Sequence, residues 1–176
     1  KELTMYTSDM VNAIYYAVDN GADVINISYY GKNSPQLFQE AVDYAYKADV
    51  PIVACAGNKN DKEKNYPAAC KHVIAVAATD ENNKRVVTST WASNFGSWID
   101  IAAPGIDIKT TGVTYAYEFA SGTSLATPIV AGVIALMQAI TFDTISVDEI
   151  EQILKGSATK LSVTNLGAGV VNGGLA

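Results

Sequence analysis

Residues 121–128 read Ser-Gly-Thr-Ser-Leu-Ala-Thr-Pro, and within them Ser124 is a candidate nucleophile. An apolar run from Leu125 to Met137 follows it directly. That pattern predicts a buried helix with a hydroxyl at its N-terminus. The unpartnered N–H groups and the positive dipole end found there favour negative charge. A serine that turns alkoxide-like and then faces an oxyanion gains from such a place. The same residues suit a plain N-cap at Ser124 or Thr123, and the octet by itself leaves both readings open.

A second group comes from Val50-Pro51-Ile52-Val53-Ala54-Cys55, which runs into Ala56-Gly57-Asn58. A buried strand that stops at small residues leaves room for another chain to approach. It also sets one carboxamide, Asn58, at the carboxyl edge of a sheet, where open parallel α/β sheets bind their ligands. Alone, Gly-Asn is a turn signal; beside Ser124 it becomes a candidate oxyanion donor.

The remaining sequence supplies elements to position these groups. Ser8 to Asn20 carries apolar residues at 10, 11, 14, 17 and 18, a helical spacing, with Gly21 as a stop. Val24–Ser28 reads as a strand. Ser34-Pro35 reads as an N-cap and first helical residue, and Leu37, Phe38, Ala41, Val42, Ala45 and Tyr46 give the next helical face. Val50–Cys55, Val73–Ala77 and Ile99–Ala102 read as further strands. Strands alternating with helices imply an α/β fold with a parallel sheet. Residues 80–112 turn irregular, and Trp91, Phe95 and Trp98 there read as anchors for a long loop, with a carbohydrate or peptide platform as the alternative. Ser146-Val147-Asp148-Glu149 is a capping box, opening an amphipathic helix through Ile150, Ile153 and Leu154 to Gly156.

Composition narrows the function classes. The 176 residues suffice for one domain with a sizeable core. Charged residues make up only 17% and hydrophobic ones 49%, which excludes a disordered chain. A net charge of −6 without a basic run speaks against nucleic acid. No uninterrupted apolar stretch is long enough for a membrane span; Leu125–Ile140 comes nearest, and Thr127, Pro128 and Gln138 break it. Two cysteines, Cys55 and Cys70, are too few for a disulfide framework, and no Cys/His cluster has zinc spacing. The acidic pairs read as solvated faces and caps. The chain begins with Lys1 and shows no signal peptide, which suggests a processed or excised product.

Several ordered motifs resemble the subtilisin-like serine proteases, or subtilases. Gly122-Thr123-Ser124-Leu125-Ala126-Thr127-Pro128 matches the family's nucleophile motif, and Ala56-Gly57-Asn58 its oxyanion asparagine. Ala22–Ser28 looks like the strand whose end pairs with bound substrate. Tyr66-Pro67-Ala68, Val73–Val76, Ala103-Pro104-Gly105 and Val170-Val171-Asn172 follow in family order. The resemblance covers nearly the whole chain. It implies a three-layer α/β/α fold lacking its N-terminal strands, and peptide-bond hydrolysis by acyl transfer. Ser124 would be the nucleophile, its N–H and Asn58 the oxyanion donors, and Thr123 a supporting hydroxyl. Peptide or protein substrate would lie beside Ser28, Tyr29, Tyr30 and Gly31, with Cys55, Ala56 and Gly57 as the facing wall. No cofactor is required. A structural calcium or other cation is suggested at the carbonyls of Ala68, Cys70 and Val73 near Asp100. The family implies a place outside the cell or at its surface.

The sequence also departs from the family. The Asp-Ser/Thr-Gly and His-Gly-Thr-His types of motif are absent, and the one histidine, His72, maps to no catalytic position. Without an imidazole to accept its proton, Ser124 is a weak nucleophile. The expectation is the nucleophile-bearing part of a protease, inactive alone, whose Asp and His lie on a missing N-terminal segment. A pseudoprotease acting as a binding or regulatory module is the alternative, and a Ser–Lys hydrolase a third reading without a nearby lysine. The missing strands would leave an open sheet edge prone to self-association. Tyr30 stands where glycine is common and Ile129 where histidine is common; the ring would narrow the substrate groove.

Overall fold

The computed structural model describes residues 6–32, 35–113, 116–141, 145–162 and 165–176. Ser34, expected as an N-cap, lies outside the described residues. In chain order the elements are α1 (Thr7–Asp19), β1 (Ile25–Ile27), α2 (Pro35–Lys47), β2 (Ile52–Cys55), β3 (Val73–Thr79), β4 (Ile101–Pro104), β5 (Ile108–Thr111), β6 (Tyr117–Ala120), α3 (Thr123–Ile140) and α4 (Val147–Ser157).

Four parallel strands form the central sheet in the order β1-β2-β3-β4. The registers are Ile27 opposite Ala54, Cys55 opposite Val76, and Thr79 opposite Pro104. Both faces of such a sheet must be covered, so its strands read as continuous apolar runs. All seven residues of β3 are buried. The two-residue side-chain period divides them between two cores. Val73, Ala75 and Ala77 join a cluster with Met10 and Ile14 of α1 and Phe38 and Val42 of α2. Ile74, Val76 and Ala78 join the other, with Val130 and Ile134 of α3 and Ile150 and Leu154 of α4. The result is the three-layer α/β/α arrangement.

Several boundaries differ from the sequence reading. The first strand contracts to Ile25–Ile27, and the second begins at Ile52, after Pro51, which has no N–H for the ladder. The fourth starts at Ile101, because the Asp100 carboxylate instead accepts the Ala75 N–H at 2.8 Å. Gly156 stays within α4, which runs to Ser157 and turns extended at Ala158. Ile153 of α4 and Leu37 of α2 face outward. The antiparallel pair β5–β6 was not expected; Ile108 pairs with Ala120 and Thr111 with Tyr117. Its strands alternate half-buried and exposed residues, or stay mostly exposed, and leave little hydrophobic signal. Gly21, by contrast, ends α1 at φ +75° as a helix stop should.

Helix α3 is long and apolar enough to cross a membrane by length and composition, with a mean hydropathy of 1.7. It lies instead against the sheet, burying Ala126, Val130, Ile134 and Met137. Gly105 lets its start come close. A Cβ there would sit 2.6 Å from Ala78 Cβ of β3 and 2.9 Å from the Gly122 carbonyl oxygen. The Gly105 carbonyl in turn accepts the Gly122 N–H at 2.8 Å.

Candidate active site

The site forms where β1, β2 and the N-terminus of α3 meet at the carboxyl edge of the sheet. Gly122 is the N-cap residue of α3, with φ 152°, and no side chain caps the helix. Thus neither Ser124 nor Thr123 is the N-cap that the octet also allowed. Thr123 is buried and turns back to the β2 edge. Its N–H and its hydroxyl both donate to Asn58 Oδ1, at 3.0 and 2.9 Å, while its Oγ1 accepts the Gly57 N–H at 3.1 Å. Two donors on one oxygen decide the orientation of the amide. Asn58 Nδ2 is left without an acceptor among the described residues and lies against Gly122, 3.4 Å from where a Cβ would stand.

Ser124 is half-buried and starts the first turn of α3. Its Oγ lies 3.3 Å from the Ser28 carbonyl oxygen and 4.0 Å from Cys55 Sγ. Burial pushes the Cys55 thiol up to about 11, against the smaller opposing effect of the Ser124 and Thr123 hydroxyls. It is therefore neutral at physiological pH and no base for Ser124. Pro128 has no N–H to close a helical bond to the Ser124 carbonyl. The Ser28 hydroxyl donates to that carbonyl at 2.9 Å and accepts from Asn26 Nδ2 at 3.1 Å.

Residues 28–31 and 55–57 continue from paired strands and then diverge. Gly31 pairs with Tyr66, and Ala56 N–H stays with Val76 of β3. The residues expected as walls play unequal structural parts. Tyr29 packs against the α1 side of the core and lines a different cavity with Met10 and Ile14. The Tyr30 ring reaches across to Gly57. A Cβ on Gly57, itself at φ +103°, would meet Tyr30 Cδ2 at 3.0 Å.

Two residues that sequence reasoning missed hold this edge in place. Asn65 and Asn94 are buried, and their Nδ2 atoms donate to the Ala56 carbonyl at 3.1 and 3.0 Å. Asn94 Oδ1 also accepts the N–H groups of Lys59 and Asp61, so it shapes the turn carrying Asn58. Only their place in Ser/Asn-rich loops hinted at this. Beyond Asn58 a second recess of about 430 Å³ opens between Lys59, Asn60 and Thr88–Ala92.

Other candidates stay apart. His72 stacks on Tyr46, with ring centroids 3.6 Å apart. It precedes β3, whereas Asn58 follows β2, so the two occupy opposite edges of the sheet, roughly 20 Å apart at about 3.3 Å per strand residue. The Asp100 carboxylate, near the suggested cation site, has a partner on each oxygen. One oxygen takes the Ala75 N–H and the other pairs with Lys155 at 2.7 Å. Among the described residues, no group of three or more His, Cys, Asp or Glu could hold a metal ion. Cys55 and Cys70 are both buried and are not joined to each other.

A family model described as the Subtilase family matches residues 1–173. The chain belongs to the subtilases. This subtilase is 41% identical over 155 residues to Thermitase of Thermoactinomyces vulgaris, covering 88% of this chain and 53% of that protein. It is 39% identical over 157 residues to a "Thermophilic serine proteinase" of Bacillus sp. (strain AK1), covering 89% of this chain and 37% of the relative. It therefore spans about a third to a half of the length of these relatives. Among solved structures, a protease of Pseudoalteromonas arctica superposes with a TM-score of 0.88 at 33% identity, over 96% of this subtilase and 57% of that chain. The self-cleaved protease domain of PatA gives 0.83 at 34% identity, over 94% and 64%. The α/β fold and the serine-protease relationship agree between sequence and shape.

Proposed function

We propose that this subtilase chain carries the nucleophile and the oxyanion site of a serine endopeptidase, and that the histidine and aspartate come from outside these 176 residues. The observation that carries the reading is the Asn58 amide. Thr123 holds its oxygen from two sides, which supports this reading by leaving the N–H₂ group beside Gly122, near the Ser124 N–H. The Ser124 N–H, one of the first in α3 and without an intrahelical acceptor, is the second donor.

In the complete enzyme, Ser124 Oγ attacks the scissile carbonyl and passes its proton to the imidazole. The tetrahedral oxyanion takes hydrogen bonds from the Ser124 N–H and Asn58 Nδ2. Collapse expels the amine, which receives the proton from the imidazole, and leaves an acyl group on Ser124. Water, deprotonated by the same imidazole, then releases the acid. The peptide lies as an added strand along residues 28–31. This chemistry uses no metal or organic cofactor.

The open side of β1 supports the external origin of the base. β1 is the edge strand of the described sheet, and beside it lies a cavity of about 440 Å³ lined by Met10, Ala13, Ile14, Ile25 and Ile27. A further strand laid there would end near Ser28 and Ser124. Without it, the edge favours self-association. The family likeness also supports a place outside the cell or at its surface, which fractionation would test.

A fluorophosphonate probe tests the reading. The 176-residue chain alone should neither label nor turn over peptides. A longer product that adds Asp and His motifs upstream should label at Ser124, and Ser124→Ala should abolish it. Rapid labelling of the chain alone would refute the external base. Absence of labelling in the longer product would favour a binding module instead.

A further inference from the structure

The Tyr30 ring lies between the two diverging strand ends, against Gly57. β1 and β2 are in register through Ile27 and Ala54, so residues 28–31 and 55–57 leave the sheet side by side. Ser124 Oγ faces the gap between them, 3.3 Å from the Ser28 carbonyl oxygen on one segment and 4.0 Å from Cys55 Sγ on the other. A peptide side chain next to the attacked carbonyl must enter this space. The Tyr30 ring is already there. It is half-buried, and Cδ2 and Cε2 would lie 3.0 and 3.1 Å from a Cβ on Gly57. That ring edge lies on the bare α-carbon of the facing wall.

The wall it leans on cannot retreat. Gly57 N–H is held by Thr123 Oγ1 and its carbonyl by the Asn94 N–H, at 3.1 and 2.8 Å. The Ala56 carbonyl carries two asparagine donors. Gly57 has room for the ring only because it lacks a side chain. Admitting a large substrate side chain would therefore require the ring itself to leave.

We infer that Tyr30 is a specificity-determining residue, and that the site takes peptides with glycine, alanine or serine, not a large apolar or aromatic residue, at the position whose carbonyl faces Ser124. The inference rests on the peptide-binding reading above, and the test separates the two. Calorimetry on the 176-residue chain would compare acetylated tetrapeptide amides ending in Ala or Phe. The wild-type chain should bind the Ala peptide and discriminate against Phe. Tyr30→Gly should improve Phe binding by about ten- to two-hundred-fold, the range for fitting or excluding an apolar group. Tyr30→Phe, which keeps the ring, should leave the order unchanged. Equal or tighter binding of Phe by the wild-type chain would overturn the inference, and that measurement does not depend on any variant folding. An unchanged Ala-over-Phe order in folded Tyr30→Gly would overturn it too. Failure of every peptide to bind would overturn the groove reading itself, and this inference with it.

Discussion

The Ser28 hydroxyl donates to the Ser124 carbonyl at 2.9 Å, while the Ser124 hydroxyl reaches back to the Ser28 carbonyl at 3.3 Å. The two serines thus brace one another across the carboxyl edge of the sheet. Pro128 creates the need, because it removes the N–H that would otherwise bond the Ser124 carbonyl within α3. Ser28→Ala should cost about 0.5–1.5 kcal/mol in urea unfolding. Pro128→Ala restores an N–H, so in that background the Ser28→Ala cost should shrink. An equal cost in both backgrounds would show that the two residues are not coupled.

Asn58 Oδ1 accepts from Thr123 while its Nδ2 is the proposed oxyanion donor, and Asn58→Asp separates the two. The carboxylate keeps an oxygen for the Thr123 N–H and hydroxyl, so the fold should persist by circular dichroism. In the proposed complete enzyme it would place negative charge where the oxyanion would form. The expected loss is at least about 10²–10³ in kcat, a size carried over from removal of the corresponding donor in subtilisin. Near-normal kcat in a folded Asn58→Asp enzyme would remove Asn58 from the oxyanion site.

The capping box of α4 has a pH signature. The Ser146 hydroxyl and N–H donate to Glu149 at 2.7 and 2.9 Å and hold its carboxyl below the ordinary glutamate range. A carboxyl lowered by folding stabilises the fold above its usual value near 4.5, and that contribution fades as pH falls through the lowered value. Ser146→Ala should therefore be destabilising at pH 7. The gap from wild type should narrow on acidification below pH ~4, read by thermal melts.

Lys155 should matter most at neutral and alkaline pH. Its ammonium pairs with Asp100 at 2.7 Å and also with Glu151, and Asp100 Oδ2 accepts the Ala75 N–H. Burial pushes the Asp100 carboxyl up, and Lys155 opposes that. Lys155→Met leaves a partly buried carboxylate beside Glu151 and raises it further. The variant should lose about 1–3 kcal/mol at pH 7 and clearly less near pH 4, where Asp100 can protonate. Equal losses at both pH values would show that packing of the lysine stem, not its charge, is what counts.

The parts of the site visible in the sequence are those written locally. Ser124 announced itself by small residues before an apolar run, and Asn58 by the end of a strand. The parallel sheet followed from strands alternating with helices, and the three-layer plan from the family resemblance. Asn65 and Asn94 were hidden because their value is a shared partner, the Ala56 carbonyl, 9 and 38 residues away. Ser28 could be named as a wall but not as the donor that offsets Pro128, since that bond spans 96 residues. The β5–β6 pair escaped for the opposite reason: largely exposed strands carry weak periodicity. His72 was legible by what surrounds it in sequence, the entrance to a buried strand, which lies at the wrong end of a parallel sheet for chemistry.

Gly105 gives the crevice an unexpected point of vulnerability. It is 19 positions upstream of Ser124 and touches no reacting group, yet it sits between Ala78 and the chain turn at Gly122. Even one added methyl would have to lever the head of α3 away from the strands. Ser124, the proposed nucleophile, would then shift relative to Asn58. A folded protein with a misaligned centre is thus one carbon atom away, at a position that inspection of the reacting side chains alone would pass over.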